Sequence, residues 1–375
     1  MHTAGPPWST SPMHITIRPL DLSSDAELEQ YRAVSTASDD ASYGGHEEQT
    51  LDQMRTLYRD TPYWRQQRYI ALVEQMAGGS SVVGTASLLF PLTENLETVH
   101  LGITTHPAFR GQGIATAMLE QALAPAIHGS DRTLVTAWGE IPAHGEVDDP
   151  ALPVNRLAAR LGLSRRNVSV CRLLPLPIED SLLDALEEES RQKRGGYRIE
   201  LWQDQVPQEH LGAYGQLLRQ MALDEPDEDV EEEPAEYTPE RIRLMEQRRR
   251  ESGGRALTAV AVAPDGSIVG NSEVHVQTAP GTTIAWQENT LVMPEHRGHC
   301  LGLALKVATH RLLSSELPEV RSLVTFNSHV NPWMIGINER LGYRIAFREI
   351  AFQGRPDLSD GLLPRVQHET AIGPT

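Results

Sequence analysis

The sequence predicts a mixed α/β (α+β) chain made of two tandem copies of one fold. Each copy reads as a mostly antiparallel mixed sheet with helices on both faces. Three observations carry this expectation. The same order of strand-like and helix-like segments occurs twice. In each copy a strand pattern runs into a glycine-bearing turn that opens a helix, first at 106–115 and again at 294–302. The arginines of the two turns, Arg110 and Arg297, and the glycines that stop a later helix, Gly162 and Gly342, keep nearly constant spacing. With 375 residues the chain is long enough for two domains, each with its own core.

In the first copy, residues 14–18 read as a strand closed by Pro19, and Ser24 caps a helical pattern reaching about Val34. The Gly44-Gly45 break leads to a second helix over 47–59. Strand patterns at 68–74 and 82–90 flank a turn at 77–80, and turn residues 93–95 lead to the strand, 96–104, that feeds the first glycine turn. A helix over 114–127 follows, then a strand at 132–138 and an acidic loop with Pro and Gly at 139–153. Asn155 opens a short helix that Gly162 stops, and 167–173 alternates as a final strand. A charged helix over 179–193 connects the copies.

The second copy starts with a strand at 197–202, followed by helices beginning at Pro207 and at Thr238-Pro239. Residues 257–263 and 268–276 form a hairpin around Pro264-Asp265-Gly266. The strand 282–292, the second glycine turn, a helix over 303–313, a strand at 321–326, a helix over 332–341 and a last strand over 343–352 complete it. The expected divisions are 13–177, a connecting segment 178–196, 197–353, and a polar tail over 354–375. Residues 1–12 read as a loose leader without the basic start and apolar centre of a signal peptide.

The formal net charge of −18 argues against a nucleic-acid partner, whose backbone requires a basic face. No apolar run is long enough to span a membrane, which leaves cytoplasm as the expected compartment. Cys171 and Cys300 offer neither a disulfide framework nor metal spacing, and His46, His100, His144 and His210 are scattered, so no metal site is expected.

A glycine-rich turn between strand and helix presents successive backbone N–H groups at a helix N-terminus, a geometry that holds phosphate. The two turns, Arg110-Gly111-Gln112-Gly113-Ile114-Ala115 and Arg297-Gly298-His299-Cys300-Leu301-Gly302, resemble the Arg/Gln-x-x-Gly-x-Gly/Ala signature of the GNAT acetyltransferase superfamily. The first fills the signature completely, and the second has Cys300 where glycine is expected. A tandem chain of this size resembles the actinobacterial group that includes mycothiol synthase.

The resemblance implies two GNAT-like domains, acetyl-CoA as cosubstrate, and transfer of an acetyl group to the amine of a small molecule. It also implies that the strand before each turn splays from its neighbour and offers backbone groups to the pantetheine arm. Those positions are Ile103, Thr104 and Thr105 in the first copy and Thr290, Leu291 and Val292 in the second. Asn331, at a helix start, matches the family's pantetheine-holding asparagine, with Asn327 beside it; as an asparagine it is equally suited to cap that helix.

Glu288 lies upstream of the second turn and is the expected proton acceptor. Many family members carry a tyrosine as general acid four residues before the helix-ending glycine. Here those positions are Ala158 and Asn338, so Asn338 joins Glu288 as a candidate catalytic residue. The first copy offers only Glu97, Trp138, Glu140 and Asn155 around its turn. Catalysis is therefore expected in the second copy. The alternative is an acyl-CoA-binding sensor or scaffold without turnover. The acidic run over 224–236 reads as a solvated loop or as a field that attracts a cationic amine.

Overall fold

The computed structural model describes residues 14–75, 78–224, 229–358 and 362. The expected leader, most of the polar tail, Ala77 of the first turn and residues 225–228 of the acidic run lie outside these.

The first half runs β1 (Ile15–Pro19), α1 (Asp25–Tyr43), α2 (Leu51–Leu57), β2 (Trp64–Glu74), β3 (Ser80–Pro91), β4 (Thr98–Thr105), α3 (Ile114–Met118), α4 (Ala124–His128), β5 (Leu134–Pro142), α5 (Pro153–Arg160) and β6 (Ser164–Pro175). After α6 (Asp180–Lys193) the order repeats as β7 (Arg198–Gln203), α7 (Leu211–Asp224), α8 (Pro239–Glu251), β8 (Gly254–Val262), β9 (Ile268–Gln277), β10 (Ile284–Val292), α9 (Leu301–Glu316), β11 (Ser322–Ser328), α10 (Pro332–Leu341) and β12 (Arg344–Gly354).

The period-2 patterns place alternate residues on opposite faces, as strand geometry requires. In the first half Ile70 and Val82 pack under α1 and α2, while their neighbours Ala71 and Val83 pack under α3. In the second half Val260 and Val262 meet α7 and α8, and Ala259 and Ala261 meet α9. Ser24 caps α1 as expected, with its hydroxyl accepting from Glu27 N at 3.3 Å.

Several elements differ from the sequence reading: α1 runs on to Tyr43 instead of stopping near Val34, β2 starts at Trp64 instead of Arg68, α5 opens at Pro153 instead of Asn155, and two further differences have clear local causes. The helix after the first glycine turn passes through a π-helical segment, Leu119–Leu123, between α3 and α4. Pro125 sits just beyond it without an N–H to continue the α-helical ladder. The second helix begins at Leu51, not at Glu47. Thr50 and Gln53 form a capping box, Thr50 Oγ1 accepting from Gln53 N and Gln53 Oε1 from Thr50 N.

All twelve strands form one sheet in the order β1-β2-β3-β4-β5-β12-β6-β11-β10-β9-β8-β7. Only β4–β5 and β10–β11 are parallel. The two halves exchange their final strands. β12, from the end of the chain, pairs with β5 of the first half, and β6, from the first half, pairs with β11 of the second. The two exchanged strands pair with each other at the centre. Ile350 and Phe352 of β12 accordingly sit in the first half's core, and Leu174 of β6 in the second's. Cys171 is buried at the seam with Ile284, Val324 and Phe347.

Candidate active site

The two glycine turns fold alike. Gly111 and Gly298 have φ of 78° and 86°, and Gly113 and Cys300, each at the N-cap of the following helix, have φ of 84° and 59°. A Cβ placed on Gly111, Gly113 or Gly298 would meet nothing within 4 Å, so each turn leaves an open cradle over a helix N-terminus. That cradle and the unbonded first-turn N–H groups fit a pyrophosphate. Cys300 adopts the left-handed backbone without being glycine, at a cost of about 1–2 kcal/mol. Its N–H stays in place.

The arginines brace the turns. Arg110 Nε donates to Thr105 O at 3.4 Å, and Arg297 Nε donates to Val292 O at 3.0 Å. Arg110 also reaches Ser38, and Arg297 is paired with Asp224.

The strand feeding each turn separates from its parallel neighbour partway along. β4 pairs with β5 only from Thr98 to Leu101, and β10 pairs with β11 only from Ile284 to Gln287. Ile103, Thr104 and Thr105, and Thr290, Leu291 and Val292, lie past the last residue paired to the parallel neighbour, so no strand bonds that side of the backbone there.

The copies differ at this point. Thr98 and Ile284, the first residues of the two strands, are 186 apart, whereas Arg110 and Arg297 are 187 apart. The extra residue is Glu288, in a β-bulge where the pairing with β9 skips from Gln287 to Asn289. The buried Gln287 braces the bulge by donating from Nε2 to Glu273 O at 2.9 Å and to Asn289 O at 2.8 Å. β4 runs in regular register against β3 and has no such residue. Beside its splay Leu101 and His100 stand instead, the latter stacked on Trp138 with ring centroids 5.4 Å apart. Of the other first-half candidates, Glu140 accepts from Ser42 Oγ at 2.8 Å, Glu97 lies 3.4 Å from Arg355, and Asn155 bonds the carbonyls of Val147 and Asp149.

Glu288 opens onto a charged cluster that the sequence reading did not assemble. His275 Nδ1 lies 3.3 Å from Glu288 Oε1, and its Nε2 bonds Glu273. Glu273 also accepts from the Tyr214 hydroxyl, from Thr258 Oγ1 at 3.2 Å and from Arg249 Nη2 at 3.5 Å. Burial opposes charge on His275, but Glu273 and Glu288 outweigh it and push its pKa up to about 9. Burial likewise opposes charge on Glu273, yet His275, Arg249 and Tyr214 bring it down to about 2. At neutral pH the imidazolium is therefore held between two carboxylates.

A cavity of about 340 Å³ adjoins this cluster, with Asp204, Glu232, Glu246, Glu273 and Glu288 among its lining carboxylates. The signal was present in β9, where Asn271, Glu273, His275 and Gln277 alternate along one face and apolar or small residues along the other.

The acidic run is largely occupied by the other half. Glu233 exchanges hydrogen bonds with Asn95, and Glu231 pairs with Arg355 and bonds Gln353. Of the described residues of this segment, Glu232 alone lines the cavity.

The second-copy asparagines separate. Asn331 caps α10, accepting from Met334 N at 3.2 Å. Asn338 is fully buried: its Oδ1 accepts from Lys306 Nζ at 2.6 Å, and its Nδ2 donates to Asn327 Oδ1 at 3.2 Å. Asn327 Oδ1 also accepts from Arg172 Nη1 at 2.7 Å. Asn327 and Asn338 are thus joined to each other, while none of the three asparagines lines the cavity beside Glu288.

Residues 14–145 match the family model of the acetyltransferase (GNAT) domain. A tandem GNAT protein from the clavulanic acid biosynthesis pathway superposes with a TM-score of 0.70 at 24% identity, covering 91% of this chain and 98% of that one. A GCN5-related N-acetyltransferase from Sphaerobacter thermophilus gives a TM-score of 0.57 at 18% identity over 91% and 96% of the two chains. N-myristoyltransferase of Saccharomyces cerevisiae, solved with bound myristoyl-CoA, gives 0.53 at 9% identity over 94% and 81%. No curated protein matches the sequence. The chain therefore carries a GNAT acyltransferase domain in its first half and has the tandem GNAT fold as a whole. Among the described residues no helix is long and apolar enough to cross a membrane.

Proposed function

We propose that the protein is an acetyl-CoA-dependent N-acetyltransferase that acts on a small-molecule amine, with transfer in the second half. The observation that carries this reading is Glu288: a carboxylate placed by a one-residue bulge, at the mouth of an acid-lined cavity, beside the free backbone of β10. The first half has the better-formed glycine turn but no carboxylate at the equivalent point of β4. Its role in this reading is cofactor binding or support.

Acetyl-CoA supplies a thioester carbonyl. The turn from Arg297 to Gly302, including Gly298, His299, Cys300 and Leu301, holds its phosphates through backbone N–H groups at the start of α9. The free edge of Thr290, Leu291 and Val292 holds the pantetheine arm and donates to the developing oxyanion. The turn Arg110, Gly111, Gln112, Gly113, Ile114 and Ala115, with Ile103 to Thr105, offers the same geometry in the first half.

An amine arrives largely as ammonium, which the carboxylates of the cavity attract. Glu288 takes its proton, the freed nitrogen attacks the thioester carbonyl, and the C–S bond breaks as the C–N bond forms, with CoA leaving as the thiolate and taking its proton from solvent. His275 positions Glu288 while the Glu273 carboxylate keeps the imidazole charged. Asn331 and Asn327 act as helix cap and buried bridge. Asn338 ties Lys306 of α9 to Asn327 of β11 and is given no proton-donor role.

Glu288→Gln is expected to lower kcat about 10²–10⁴-fold with acetyl-CoA affinity preserved. Thiol release across an amine panel measures turnover, and acetyl-CoA thermal shift measures binding. Wild-type protein that binds acetyl-CoA yet releases no thiol with any amine is the outcome expected of the sensor or scaffold, and it would sink the transferase reading.

A further inference from the structure

The segment between α1 and α2 leaves its own half and seats on the other. His46 O accepts from Thr283 N at 2.9 Å, His46 N donates to Thr283 Oγ1 at 3.2 Å, and Glu48 N donates to Thr282 Oγ1 at 2.9 Å. Tyr43, at the end of α1, packs edge-on against Trp286 with centroids 5.2 Å apart. These contacts fix the backbone on both sides of Glu47. Its side chain is then carried into the second half, where Oε1 accepts from Gln277 N at 2.9 Å.

Glu47 lines a second cavity, of about 250 Å³, together with Leu57, Arg248, Gln277, His275 and Glu288. The two cavities share Glu288, His275 and Arg249, so they meet at the carboxylate assigned to the acceptor nitrogen. The arginines of the second cavity are committed elsewhere. Arg248 donates to the carbonyls of Leu57 and Arg59, and Arg249 to Glu273.

Among the described residues Glu47 has a backbone donor, Gln277 N–H, and the Trp286 indole, but no cationic donor. Burial, with Glu288 and Asp39 nearby, pushes its pKa up to about 7. A carboxyl enclosed in this way is stabilised most by a cation brought from outside, since a neutral hydroxyl leaves the charge uncompensated.

The reciprocal crossing, from the α7–α8 connection onto the first half, ends differently. There Glu233 meets Asn95 of the first half, and Glu231 meets Arg355, just past β12 where that strand joins the first half's sheet, so both carboxylates are engaged at the junction. The first crossing instead carries a carboxylate, Glu47, from one half of the chain into a cavity of the other.

We propose that the acceptor site is composite and takes a diamine: one nitrogen lies by Glu288, and a second, protonated nitrogen is held by Glu47 from the other half of the chain. This rests on the transferase reading given above. The second cavity has the volume of ~8 water molecules, enough for a short carbon chain between the two nitrogens.

The test compares 1,4-diaminobutane with 1-aminobutane as acceptors, for wild type, Glu47→Gln and the neighbouring control Glu48→Gln, with calorimetric binding of the diamine in parallel. Glutamine keeps an acceptor for Gln277 N–H, and an unchanged Tm confirms that the variant folds. Wild type and E48Q are expected to favour the diamine by at least roughly tenfold in kcat/KM, about 1.4 kcal/mol, and E47Q to lose that preference through the diamine's KM. No preference in wild type, or the same preference in E47Q, overturns the composite site while leaving the transferase intact. Glu47-dependent diamine binding without turnover does the reverse, and neither binding nor turnover overturns both.

Discussion

Lys306 is a lysine buried in the core of the second half. It lies inside α9 with 1% exposure, donates to Asn338 Oδ1, and sits over the Tyr343 ring at 4.9 Å. Burial, reinforced by the charge of Arg172, brings its pKa down to about 7. A group whose folded pKa lies below its unfolded value near 10.5 binds fewer protons when folded. It therefore destabilises the fold fully below pH 7, and the penalty is relieved as pH rises from 7 to 10.5. Lys306→Met removes this penalty, on the order of a few kcal/mol, and leaves Asn338 Oδ1 without a donor, a smaller loss. The variant is expected to melt above wild type at pH 6, with the gap narrowing steadily toward pH 10. A gap independent of pH would show that Lys306 is charged in the folded protein. Nothing in the sequence marks this lysine, since its spacing in an amphipathic helix reads as a solvated position.

The bulge in β10 is where an element, more than any single side chain, separates the two halves. Its signature was countable in the sequence as the shift from 186 to 187 in the spacing of equivalent positions, but only once the start of each strand was known. Glu288 was legible as a charged residue on the right strand, whereas its partners on β9 were not, because pairing register is set by contacts far along the chain. The mis-set start of the second helix has a local cause: Thr50 and Gln53 already spelled a capping box, which the preceding Glu47 and Glu48 disguised as a first turn. If Gln287 holds the bulge, Gln287→Leu should cost about 1–3 kcal/mol in stability through the broken bonds to Glu273 O and Asn289 O. It should also lower kcat at least roughly tenfold by letting Glu288 drift. Reduced Tm with unaltered kcat would separate the bulge from catalysis.

At the scale of the molecule, the strand exchange makes the halves interdependent. The patterns of β6 and β12 each specify a strand but not whose neighbour it becomes, which is why the repeat was legible and the exchange was not. Each half's core needs a strand from the other: Ile350 of β12 is fully buried among Val99, Leu119 and Val135, and Leu174 of β6 is buried among Ala285, Leu323 and Leu341. Separating the halves would strip a central strand from each, so neither core has an independent folded state to melt from. Calorimetry is therefore expected to show one transition, with a calorimetric-to-van't Hoff enthalpy ratio near one; independent halves would give about two. Ile350→Ala and Leu174→Ala each open a cavity worth about 2–5 kcal/mol, and each should lower that single Tm by several degrees without splitting it. Two resolved peaks, with Ile350→Ala moving one and Leu174→Ala the other, would mean that each half melts alone and that the shared sheet does not couple them.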